Sequence, residues 1–140
     1  MAIPNPLAAI VTMLLADADV TAECGTNVFG GELPRDETGS MPQKAIVVQA
    51  SGGPAQNDYM RIMPQRVDIK AYGTTPTTAW GPYLAARDAL RRLNGVVHSE
   101  VLMLSAKVES QPVQLREPDG LEWPFVLGSF TVLVSEVAVT

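Results

Sequence analysis

The chain reads as an α+β domain: a mostly antiparallel sheet of about four to five strands with two helices packed on it, in the order α-β-β-β-α-β-β. Three observations predict this. Two stretches, residues 5–17 and 77–93, space their apolar residues as one face of a helix does. Several others alternate apolar and polar side chains with the period of a strand. No strand–helix–strand unit repeats, and a parallel doubly wound sheet is built from such repeats.

At 140 residues the chain fits a single domain, residues 1–140. A chain of that size buries about 68% of the surface its unfolded form exposes, enough for a core without disulfides. Cys24 is the single cysteine, so neither an internal disulfide nor a cysteine metal cluster is available, and a reducing compartment suits it. The first apolar run has no basic start and is closed by Asp17 and Asp19. A membrane span needs about 20 apolar residues, so this run reads as an amphipathic helix and no membrane partner is expected.

Each element has its own reason. Asn5 suits an N-cap and Pro6 the first helical position. Leu7, Ile10, Val11, Leu14 and Leu15 make the stripe that follows, and Asp19 is placed to cap a second short turn ending near Gly25. A short strand at 27–29 leads into GGELPRDETGSMPQ, whose Gly, Pro and acids mark a surface loop. Strands are expected at 44–51 and at 59–72, the second broken or bulged at Pro64. Along it Val67, Ile69 and Ala71 point one way and Arg66, Asp68, Lys70 and Tyr72 the other.

The hinge GTTPTT offers Thr75, Thr77 or Thr78 as caps for the second long helix, which stops at Asn94-Gly95. Trp80, Tyr83, Leu84, Ala86, Leu90 and Leu93 form its expected buried side, with Asp88 and Arg92 on the wet side. A strand at 100–110 should turn Leu102, Leu104, Ala106 and Val108 inward. The last strand, 124–139, is apolar on both faces around FTVLV and so should be central or covered. The intervening PVQLREPDGLEWP reads as a loop, or as a short hairpin turning at Pro118-Asp119-Gly120.

Chemistry is scarce. GTTPTTAWG lacks the lysine and glycine spacing of a phosphate loop. His98 is the single histidine, and Ser99 and Glu100 beside it would point to opposite faces of a strand. Cys24 has an acidic neighbour and sits at the wrong end of a helix for a reactive thiolate. No calcium-loop motif is present. Catalytic, cofactor and metal residues are therefore all expected to be absent. A net charge of −5 also argues against gripping nucleic acid, since the densest basic cluster is only Arg87, Arg91 and Arg92.

The order of segments resembles the tail terminator (tail-completion, head-to-tail joining) proteins of long-tailed bacteriophages. The matching pieces are LAAIVTMLLADADV, NVFGGELP, MPQKAIVVQAS, RVDIKAYGTTPTTAWGPYLAARDALRRLNG and the final FTVLVSEV. None is a chemical motif; their order over nearly the whole chain carries the resemblance, and the long PVQLREPDGLEWP departs from the shortest members. The resemblance implies a non-enzymatic virion protein at the tail–head junction, made in the host bacterial cytoplasm. It implies a homo-oligomeric ring, usually a hexamer, that caps the tail tube, meets a head-side connector and lets DNA pass without specific binding.

A ring needs heterologous contacts between different patches of neighbouring copies. The face of Arg66, Asp68, Lys70 and Tyr72 and the strand residues Phe130, Val132 and Val134 are the candidate interface. Glu32, Asp36, Glu37, Glu117, Asp119 and Glu122 form the acidic pool for a channel lining or docking loops. The alternatives are another head–tail connector, neck or tail-tube protein, and a cellular α+β ligand-binding domain or small enzyme.

Overall fold

The computed structural model describes residues 6–31, 43–52, 62–98, 101–117 and 123–136. Pro6 opens α1 (Pro6–Ala16), where its ring-fixed φ suits the first turn. The expected stripe is rotated: Ala9, Ile10, Met13 and Leu14 are buried, Leu7 and Val11 pack at the margin, and Leu15 faces out. Helix α2 (Ala18–Cys24) is capped by Asp17 rather than Asp19. The Asp17 carboxylate accepts hydrogen bonds from the amides of Asp19 at 3.0 Å and Val20 at 3.2 Å. Asp17 has the extended backbone a cap requires, whereas Asp19 already lies in the first turn.

The strands are β1 (Val28–Gly30), β2 (Ala45–Gly52), β3 (Ile62–Tyr72), β4 (Val96–His98), β5 (Val101–Val108), β6 (Val113–Arg116) and β7 (Pro124–Glu136), with α3 (Trp80–Arg91) between β3 and β4. They form one sheet in the order β1-β2-β3-β7-β5-β4, with β6 also pairing to β7. Among the described strands only the β1–β2 pair is parallel. The class is α+β with a mostly antiparallel sheet, as expected. Strand β4 is an addition to the elements the sequence marked; α2 is the second short turn expected to end near Gly25, and β6 lies in the segment read as a loop or short hairpin.

β5 and β6 lie end to end along one side of β7: Val108 pairs with Phe130, and Val113 with Leu127. PVQLREPDGLEWP is thus the arm of a hairpin, closed where the Glu117 amide donates to the Trp123 carbonyl at 2.9 Å. The expected turn at Pro118-Asp119-Gly120 lies outside the described residues. Pro64 causes no break. It stays in register opposite Leu133, and β2 pairs with β3 no further than Arg66, so no β2 ladder bond is lost. The irregularity lies in β2, between Ala50 and Gly52.

Two features fix which residues face the helices. Strand β5 carries a bulge between Met103 and Ser105, which changes its phase. Met103 is fully buried and Ala106 and Val108 pack on the core, while Leu104 is taken up by the bulge and Leu102 joins the other face. The second feature is the hinge before α3. Thr75 and Thr78 hydrogen-bond reciprocally, each hydroxyl accepting from the other's amide (2.8 and 3.2 Å). This capping-box geometry closes a turn ahead of the regular helix, whose own cap residue is Ala79.

All three helices lie on one face of the sheet. Beneath them Ile46, Val48, Val67, Ile69, Ala71, Met103, Val126, Phe130, Val132 and Val134 form the main core with Tyr83, Leu90, Ile10 and Leu14. Tyr83 lies directly over Gly128: a Cβ there would stand 2.7 Å from the ring. Helix α1 touches β1 and β2 and also β4, so the sheet curls until one helix spans its two end strands.

Candidate functional site: the outer face of the sheet

Among the described residues the opposite face carries no helix. Side chains alternate along a strand, so β3, β7 and β5 present their other residues here in rows fixed by register. One row is Tyr72, Phe125 and Leu115; the next is Lys70, Leu127 and Val113. Asp68 and Ser129 follow, then Arg66, Thr131 and Lys107, and last Pro64, Leu133 and Ser105.

The end nearest the hairpin is closed. Ala45, Val47, Tyr72 and Phe125 form a small second core, with Phe29, Trp123 and Leu127 at its margin. Tyr72 meets Phe125 at 5.6 Å and Trp123 edge-on at 6.5 Å between ring centroids. The Tyr72 hydroxyl donates to Glu117 Oε1 at 2.6 Å, and Lys70 Nζ donates to the same oxygen at 2.8 Å. Lys70 also lies 4.5 Å from the Phe125 ring centroid, a cation–π contact. Burial pushes the Tyr72 hydroxyl up, and its bond to Glu117 pushes it further. Burial alone would raise the Glu117 carboxyl, but the hydrogen bonds from Lys70 and Tyr72 outweigh it and hold the group low. The cluster therefore stays an ion pair with a neutral phenol: it latches the hairpin to the sheet and leaves no base or nucleophile free.

Among the described residues nothing covers the other end. Arg66 and Lys107 are exposed on either side of Thr131, and among the described residues neither makes an ion pair. Asp68 accepts a hydrogen bond from the Ser129 hydroxyl at 2.6 Å. Along β6, Val113 and Leu115 are 50% and 42% exposed.

The expected residues divide accordingly. Arg66, Asp68, Lys70 and Tyr72 share the outer face, with Tyr72 and Lys70 committed to the latch. Phe130, Val132 and Val134 are corrected: they point to the helix side and are buried in the subunit's own core, so their side chains offer nothing to a second copy. The reason is parity, since the even-numbered residues of β7 face inward. Glu117 is a latch residue. Glu32, Asp36, Glu37, Asp119 and Glu122 lie outside the described residues.

Leu84 is a further correction, being 44% exposed on α3. Lys107, Val113 and Leu115 were missed as surface candidates; turning Ala106 and Val108 inward already put Lys107 on the other face, while Val113 and Leu115 lay in a segment read as a loop or short hairpin and needed the pairing of β6 with β7.

The other residues the sequence singled out for chemistry lie apart. His98 ends β4 opposite Val101, and Ser99 and Glu100 lie outside the described residues. Burial, with the Glu23 charge adding to it, pushes the Cys24 thiol up to about 12, and this outweighs the opposing pull of Lys44. Among the described residues no three His, Cys, Asp or Glu side chains are grouped to hold a metal. A shallow depression beside α1 is lined by Leu7, Ala8, Val11, Thr12 and Gly30 and carries no titratable group. No helix of the described residues is long and apolar enough to cross a membrane.

No protein-family model matches the chain, and no curated protein matches it. Solved structures do match. One is a chain from the virion of a native gene transfer agent particle, with a TM-score of 0.62 and 19% identity over 92% of this chain and 93% of that one. At that identity the likeness is one of fold, and it extends over nearly the full length of both chains.

Proposed function

We propose that the protein is a structural component of a phage-like virion that acts by self-association and performs no catalysis. The observation that carries this reading is the fold likeness over 92% of the chain to a component of a gene transfer agent virion. The outer sheet face, open over the rows of Arg66 and Pro64, gives the subunit a surface for a neighbour.

Within that class we place it at the end of the tail. There it forms a ring, a hexamer in the finest form of the proposal, that caps the tail tube and joins the head-side connector. The order of segments quoted above supports this position. A net charge of −5 suits a collar through which DNA slides, because acidic surfaces repel phosphate.

The test is electron microscopy of particles made without this protein. Tails of abnormal length that fail to join heads support the terminal ring. Normal tails with a defect on the head side point to a neck or connector protein, and missing tails point to a tube component; either outcome overturns the terminal position.

A further inference from the structure

We infer that the open end of the outer sheet face receives helix α3 of a second copy, with Asp88 seated between Arg66 and Lys107. The inference rests on the self-associating reading above and names the two surfaces that meet.

On the sheet, three consecutive rows change character. Pro64 and Leu133 make a half-buried apolar row with Ser105; Arg66 and Lys107 make a basic row about Thr131; Asp68 and Ser129 make an acidic row. Exposed Glu109 extends the acidic row, its amide donating to the Ser129 carbonyl at 2.9 Å. On α3, the exposed stripe runs Leu84, Asp88, Arg91: apolar, acidic, basic. Each helix residue thus meets a row of complementary kind, in order.

The spacing agrees. Successive rows on one face lie two residues apart, about 6.7 Å along a strand. Leu84 and Asp88 are four residues apart, a rise of about 6 Å. Arg91 is one position short of a further turn, and an arginine side chain spans that difference. Arg66 and Lys107 stand on strands either side of β7, two strand spacings or about 9.6 Å apart, so one carboxylate between them reaches both.

The charges are also available. Among the described residues Arg66, Lys107, Asp88 and Arg91 make no ion pair, whereas Lys70, Lys44 and Arg92 are all engaged within the subunit. Helices and open face lie on opposite sides of the subunit, so the contact is heterologous and repeats head to tail, as a closed ring requires.

The experiment is native mass spectrometry and sedimentation of the full chain and three preparations: D88K, R66E/K107E, and an equimolar mixture of the two. Each variant alone should associate about tenfold more weakly or worse, because it sets like charges against each other. The mixture should recover association. In an alternating ring one joint keeps the native pairing and the other carries it fully reversed. A cooperative urea transition with the slope of a folded domain in each variant will show that it still folds, as expected for exposed positions.

Wild-type rings accompanied by D88K rings of equal affinity overturn this interface and leave the ring reading standing. So does a mixture that stays dissociated. A wild type that remains monomeric throughout overturns both.

Discussion

The two faces of this sheet are built from the same strands yet solve opposite problems. The inner face is uniform: Val67, Ile69, Val126, Phe130, Val132 and Val134 are essentially inaccessible beneath three helices. The outer face is graded, from a sealed aromatic end held by Lys70, Tyr72 and Glu117 to an open end carrying Arg66 and Lys107. The inner face keeps the subunit folded, so its side chains are closed to partners. The outer face is where residues can change without dismantling the fold, so it is the face on which the proposed association can be tested.

The sharpest break of that contrast is Val132→Asp with Val134→Asp. Two unpaired carboxylates in the core, each costing several kcal/mol, exceed what a marginally stable domain can absorb. The variant should lose its cooperative urea transition, followed by near-ultraviolet circular dichroism. Next is Gly128→Ala, whose methyl meets the Tyr83 ring and should cost about 1–3 kcal/mol, read as a lower urea midpoint with unchanged slope.

On the outer face, Tyr72→Phe removes one hydrogen bond to Glu117 and should cost about 1 kcal/mol. The same latch gives a dependence on pH. Glu117 is held low in the folded state, so its contribution is complete above the ordinary carboxylate value of about 4.3 and is lost as pH falls through the lowered one. Tyr72 is held high, so its contribution is complete below about pH 10 and fades on further increase. Glu117→Gln should flatten the acid limb of a stability–pH profile. The smallest effect is expected for Val113→Ser with Leu115→Ser, within about 0.5 kcal/mol for each exposed site.

Much of the inner face was legible in the sequence, because strand alternation along Val67, Ile69 and Ala71 is a property of the chain alone. Readings failed where a single residue changed the phase. The bulge after Met103 put that residue in the core in place of Leu102 and Leu104. Leu84 sits one helical step outside the stripe of Tyr83, Ala86 and Leu90, and composition cannot distinguish an apolar residue kept for a partner from one kept for the core. Phe130, Val132 and Val134 were correctly read as covered, but what covers them is the subunit's own helices. Strand β4, three residues directly after the Asn94-Gly95 helix stop, was not marked. The outer-face rows needed the register itself, since Arg66 and Lys107 are neighbours only through β7.

The reach of α1 to both end strands has a kinetic consequence. Residues 6–16 and 96–98 are far apart in the chain, so the curl is completed only when a late segment returns to an early one. Such distant closure is slow and entropically demanding, and the arc of the sheet should set in a single concerted step. A subunit caught before that step would lack the arc of the sheet, and under the self-associating proposal it would be a poorer fit for a second copy.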